Sequence, residues 1–151
     1  MGQHILVPVD GSPQSEAALE YVLDSYADAE VTILHVVDPA SPFGYGDDEN
    51  FDFESYQAEG KRRHERATEL LEEYGELASE RGVAFDTRLK TGKPAVEILE
   101  AADDEDVDLI VMGSRGRSGV GRVLFGSVAE TVTRRATVPV TIFKQRDDEK
   151  R

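Results

Sequence analysis

The sequence predicts an α/β protein: a doubly wound, five-stranded parallel sheet with helices on both faces. Two observations carry this. Short apolar runs rich in Val and Ile alternate with longer stretches whose apolar residues recur every three or four positions, giving the order β-α-β-α-β-α-β-α-β. Such alternation implies right-handed crossovers and a parallel sheet. Most of the strand runs are also apolar throughout, as strands covered on both faces are.

Taken in order, residues 5–9 (ILVPV) read as the first strand, with Pro8 marking its end. Ser12 followed by Pro13 is an N-cap with proline at the first helical position, and Ala18, Tyr21, Val22 and Tyr26 continue a helical stripe. Residues 31–37 (VTILHVV) are the second strand. Residues 38–54, with two prolines, two glycines and the run Asp47-Asp48-Glu49, are a long acidic loop. A long helix spans 55–81, with Ala67, Leu70, Leu71, Tyr74, Leu77 and Ala78 on one face and Gly82 ending it. Residues 83–90 alternate as the third strand. A turn at Gly92 leads into a helix with Ala95, Ile98, Leu99 and Ala102 on one face. Residues 107–112 (VDLIVM) are the fourth strand, 113–126 a glycine-rich loop, 127–136 a helix, and 138–143 (VPVTIF) the fifth strand. One domain over 1–144 is expected, with 145–151 a charged, frayed tail.

Thirty-one acidic against 17 basic residues leave a net charge of −14, and there is no cysteine. A disulfide scaffold and a cysteine-based metal or redox site are thereby excluded. A strongly acidic chain has no surplus of cations to displace phosphate counterions, which argues against nucleic acid and against an anionic membrane. No apolar run approaches the roughly 20 residues of a membrane span. The first residues lack the basic and apolar regions of a signal peptide, and Leu6 stands where a myristoylation signal would have Ser or Thr. A cytoplasmic protein is expected. Few lysines and many carboxylates point to a halophilic source, where salt screens self-repulsion.

In a doubly wound sheet ligands bind beyond the carboxyl ends of the strands. The loop after the fourth strand, from Gly113 to Ser127, concentrates Gly113, Gly116, Gly119, Gly121 and Gly126 with Arg115, Arg117 and Arg122. Glycine lets backbone N–H groups approach an anion, and the helix opened by Ser127 attracts phosphate at its N-terminus. A Walker A loop is excluded, because Arg122 and Val123 stand where Lys and Ser/Thr belong. A dinucleotide fingerprint begun at Gly119 and Gly121 fails at Leu124 and lies too late in the chain. The pattern that fits is G-x2-G-x9-G-[ST], met by Gly113, Gly116, Gly126 and Ser127. Ser127-Val-Ala-Glu130 also has the form of a capping box. No histidine spacing suits a metal, Asp47-Asp48-Glu49 lacks the form of an EF-hand loop, and no Ser–His–Asp arrangement is visible.

With ILVPVDGS at the start, LHVVD after the second strand, DLIVMGSRGRSG, GSVAETV and the closing VPVTIF, the chain resembles the universal stress protein family from Gln3 to Phe143. The glycine pattern marks that family's ATP-binding branch. The resemblance implies strand order 3-2-1-4-5, binding of ATP (or AMP or ADP) with Mg2+, and a homodimer paired through the strand at 138–143, with Val140 and Ile142 near the interface. It implies that Asp10 lies near ribose and the Mg2+–phosphate region. It implies that Val9 and Val36 surround adenine by backbone and apolar contact, and that Met112 and Gly113 close the strand onto the nucleotide. Gly116, Gly126, Ser127 and Val128 would line the phosphates, with Arg115 and Arg117 in the variable part of the loop. The function expected is a stress-response regulator. The rivals are a slow nucleotide hydrolase or transferase on the same fold, and a dimeric interaction module without nucleotide.

Overall fold

The structure, a computed structural model, describes residues 2–39, 53–114 and 126–144. Nine elements follow in the expected order: β1 (His4–Pro8), α1 (Pro13–Ser25), β2 (Glu30–Val37), α2 (Phe53–Glu80), β3 (Ala84–Thr91), α3 (Pro94–Asp104), β4 (Leu109–Gly113), α4 (Ser127–Arg135) and β5 (Val140–Phe143). The five strands are parallel and ordered β3-β2-β1-β4-β5. The acidic loop expected at 38–54 is cut short by α2, which starts at Phe53; residues 40–52, and the tail 145–151, lie outside the described residues.

Strand alternation sorts the core into two layers. Ile5, Val7, Val9, Val31, Ile33 and Val111 face α1 and α2, whose Ala18, Leu19, Val22, Leu71, Tyr74 and Ala78 cover them. Leu6, Leu34, Ile110 and Met112 face α3 and α4, which supply Ile98, Ala101, Ala102, Ala129 and Val132. Each fully buried Leu, Ile or Val contributes about 1.5–3 kcal/mol relative to exposure. The apolar stripe read along α2 is the face that packs; on α1, Ala18 and Val22 are buried, while Tyr21 is 40% exposed and rests against the rings of Tyr26 and Phe143.

Helix ends follow local rules. Ser12 caps α1 by accepting the Ser15 N–H at 3.2 Å, with Pro13 next. After α2, Gly82 (φ +72°) lets its own N–H reach Ser79 O and the Val83 N–H reach Ala78 O, the paired bonds of a left-handed helix stop. The same pair closes α3, but there the left-handed residue is Asp106 (φ +53°), bonded to Asp103 O while Val107 bonds Ala102 O. Three of the departures from the expected boundaries have a local cause. β4 begins at Leu109, because Val107 belongs to the stop of α3. β5 begins at Val140, since Pro139 has no N–H to donate, though its carbonyl accepts from Ile110. The N-cap of α4 is Gly126, not Ser127.

Candidate functional site

The strand order reverses between β1 and β4, so a crevice opens beyond their carboxyl ends. Pro8 widens it. Val9 N–H donates to Leu34 O on β2 at 2.8 Å, so by alternation position 8 turns its nitrogen toward β4. A proline there has no proton to give. The β1–β4 pairing accordingly stops at Leu6 opposite Ile110, while the β1–β2 pairing runs on to Pro8 opposite Leu34.

Asp10 stands exposed at the head of the turn into α1. Its Oδ1 accepts the Ser12 N–H at 2.9 Å, closing an Asx turn, and its own N–H donates to Ser15 Oγ at 3.2 Å. Gly11 adopts φ +83°, a conformation glycine takes without penalty, with Leu70 of α2 against it. Ser15 Oγ donates in turn to Ser12 O. Tyr74 of α2 is buried, and that burial holds its pKa above that of a free tyrosine. The turn is thus fixed by α1 from within and by α2 from outside.

Val9 and Val36 fall on opposite faces of the sheet: Val9 is buried under α1 and α2, and half-buried Val36 packs with the α3–α4 layer. What Val36 offers toward β1 is its main chain. Leu34 O points at β1 and Val37 O at the β3 side, where it accepts the Gly92 N–H, so alternation turns the N–H and C=O of Val36 to the crevice. A continued ladder would give the Val36 N–H to Val9 O. Instead Val9 O accepts from His35 Nδ1 at 2.7 Å.

Met112 is buried in the α3–α4 layer. Gly113 ends β4, and a Cβ placed on it would lie 2.8 Å from Gln14 C, Gln14 Cβ and Ser15 N. The first glycine of the motif therefore lets the strand end touch the first turn of α1. Gly126, the N-cap of α4, is extended (φ −67°, ψ 164°), and no side chain caps this helix. Ser127 is its first helical residue, so the Ser127–Glu130 capping box does not form. Extended Gly126 takes the cap position one residue earlier, and its carbonyl accepts the Glu130 N–H at 3.0 Å. The exposed Ser127 and half-buried Val128 thus begin a helix whose first N–H groups lack a side-chain cap. Arg115, Gly116, Arg117 and Arg122 lie outside the described residues.

Among the described residues no group of three or more His, Asp or Glu is poised to hold a metal ion. The single exposed carboxylate of Asp10 suits Mg2+ of the kind held mainly by phosphates and water. Sequence reading missed His35, Ser15 and Tyr74. Only Ser15, three residues after the Ser12 cap, carried a local signal. No helix among the described residues is long and apolar enough to cross a membrane.

Comparison with known proteins agrees with this fold. A sequence model of the universal stress protein family matches residues 1–144. Universal stress protein MJ0531 of Methanocaldococcus jannaschii is 38% identical over 143 residues, covering 93% of this chain and 81% of its own length. The solved structure of MJ0577 from the same organism superposes with a TM-score of 0.79 at 31% identity, covering 97% of this chain and 99% of that one. A universal stress protein solved in complex with cAMP superposes with a TM-score of 0.68 at 26% identity, covering 93% and 95%.

Proposed function

The chain belongs to the universal stress protein family, and from that premise we propose that it is a stress-response regulator that binds an adenine nucleotide. The ligand is ATP (or AMP or ADP), and it enters with Mg2+ beyond β1 and β4. The observation that carries this reading is the N-terminus of α4. It lacks a side-chain cap and follows a glycine- and arginine-rich segment at the strand-order reversal. Backbone N–H groups and the helix dipole make such an end a phosphate seat. Gly126, Ser127 and Val128 hold the phosphates, with Gly116, Arg115 and Arg117 contributing from the preceding loop. Asp10 faces Mg2+ and the phosphate–ribose region. The main-chain N–H and C=O of Val36 meet the base, and Val9, Met112 and Gly113 form the floor. The relative solved with cAMP supports an adenine ligand on this fold.

Calorimetric titration with Mg-ATP, GTP and cAMP tests the reading. A ligand at a hundredfold excess over Kd stabilises the fold by about 2.7 kcal/mol. ATP is expected to bind, GTP to bind far more weakly, and Gly126→Val to abolish binding by placing a side chain at the phosphate seat. If Gly126→Val binds ATP as tightly as the unmutated chain, the site is elsewhere. Half-buried Val140 and Ile142 on the edge strand β5 support the further proposal of a homodimer paired through that edge. Lys at both positions is expected to yield monomers in light scattering, and a monomeric unmutated chain would remove the dimer.

A further inference from the structure

We infer that His35 is a positioning residue for this crevice: its imidazole ends the β1–β2 ladder and thereby leaves the Val36 main chain open to a ligand. The inference rests on the nucleotide reading above for its ligand, but not for its geometry. Three observations meet at one atom. Val9 O lies one residue past β1, where Val9 N–H still donates to Leu34 O at 2.8 Å. The next bond of a parallel ladder would join Val36 N–H to Val9 O. That carbonyl is instead occupied by His35 Nδ1–H at 2.7 Å, donated from the neighbouring position on β2. The carbonyl is satisfied without using Val36. Because Val9 O accepts, the Nδ1 of His35 carries the proton in both the neutral and the charged imidazole.

The same bond fixes Asp10. Val9 is tied to β2 through both its N–H and its C=O, and the next residue is held by Ser15 Oγ on its N–H and by Ser12 N–H on its carboxylate. His35 is thus the contribution of β2 to a turn otherwise held by α1 and α2. Without the imidazole, Val9 O would either seek the Val36 N–H, zipping the crevice by one more rung, or turn away and carry Asp10 with it. Either outcome removes a contact from the ligand while leaving both core layers intact.

The test compares the unmutated chain with His35→Asn, His35→Leu and His35→Gln. An Asn amide N–H can stand where the imidazole Nδ1–H stands; Leu has no donor, and the Gln donor lies one bond too far out. Two readouts are taken. In amide hydrogen exchange without ligand, His35→Leu and His35→Gln should either slow the Val36 amide about tenfold, if the ladder zips, or quicken the Val9, Asp10 and Ser12 amides about tenfold, if the carbonyl turns away, the worth of one hydrogen bond. These amides should be unchanged in His35→Asn, and the Ile98 amide on α3 should be unchanged in all. In calorimetry with Mg-ATP, Kd should rise about tenfold in His35→Leu and His35→Gln but not in His35→Asn. Equal exchange in all four proteins overturns the inference, as does an equal loss of ATP affinity in Asn, Leu and Gln. If the unmutated chain binds no ATP yet the exchange contrast appears, the nucleotide reading falls and the positioning role of His35 stands.

Discussion

Gly113→Ala separates two reasons for which the first glycine of the motif could be needed. The Cβ would meet Gln14 C, Gln14 Cβ and Ser15 N at 2.8 Å, two of them main-chain atoms of α1. Ordinary contact begins at 3.4 Å, so strand and helix must part by about 0.6 Å. Neither side yields freely. The first turn of α1 is held by the Ser12 cap and by the Glu16 N–H to Ser12 O bond, and the end of β4 by the Ser114 N–H to Phe143 O bond at 2.8 Å. Overpacking of this kind costs about 1–3 kcal/mol. Gly113 does not have a positive φ, so no backbone strain adds to it. Urea unfolding without ligand should show the midpoint lowered and the slope unchanged. Thermal unfolding should fall by about 2–4 °C per kcal/mol for a chain of this size. A ligand-free stability within about 0.5 kcal/mol of the unmutated chain would refute the packing account. A loss confined to the ATP-induced increment would assign the glycine to the ligand instead.

Asp106→Gly should stabilise by about 0.5–1 kcal/mol in urea unfolding, because glycine takes φ +53° without a Cβ penalty and an anion leaves the negative end of α3. Gly60→Ala should raise stability by up to about 1 kcal/mol, since Gly60 lies inside α2 with nothing within 4 Å of its Cβ position. A neutral or destabilising result would dispute the helix there. Tyr74 keeps its proton longer in the folded state than in the unfolded one. Stability should therefore be complete below the unfolded tyrosine pKa of about 10 and fall as pH rises beyond it, and Tyr74→Phe should flatten that fall. Finally, with a net charge of −14, the thermal midpoint should climb as KCl rises from about 0.1 to 1 M, where the Debye length shrinks from about 10 to 3 Å, and climb more than in sucrose of equal water activity. A flat curve would remove the halophilic reading.

What the sequence disclosed was local, and what it concealed was not. Apolar runs and stripes were enough for the element order, because burial on both faces leaves few polar choices along β1, β2 and β4. Gly82 announced the end of α2, whereas Asp106 does the same for α3 with a residue that gives no such sign. The S-x-x-E run at Ser127 looked like a cap because that signature considers only four residues; an extended Gly126 took the position first. The Gly113 contact with Gln14 and the His35 contact with Val9 join separate elements, and nothing at either position names its partner. His35 read simply as a polar residue in a strand. The role inferred for it depends on Val9 O, which lies one residue beyond the end of β1.

The charge distribution bears on how a strongly acidic chain could hold an anion. Of the lysines Lys61, Lys90, Lys93, Lys144 and Lys150, three lie at the carboxyl edge of the sheet: Lys90 near the end of β3, Lys93 before α3, and Lys144 just after β5. Arg115, Arg117 and Arg122 follow β4 in the sequence. The opposite edge carries Glu30 at the start of β2, the run Asp103 to Asp106 at the end of α3, and Asp108 before β4. The carboxyl edge has acids of its own, Asp10 after β1 and Asp38 after β2, but repulsion from the more distant carboxylates acts over a length that salt shortens to about 8 Å at physiological ionic strength. Contacts that backbone N–H groups at the start of α4 would make to an anion act within about 3 Å and are screened far less. Rising salt therefore removes the long-range penalty sooner than the short-range gain, so an acidic surface and an anion site are compatible on one small domain.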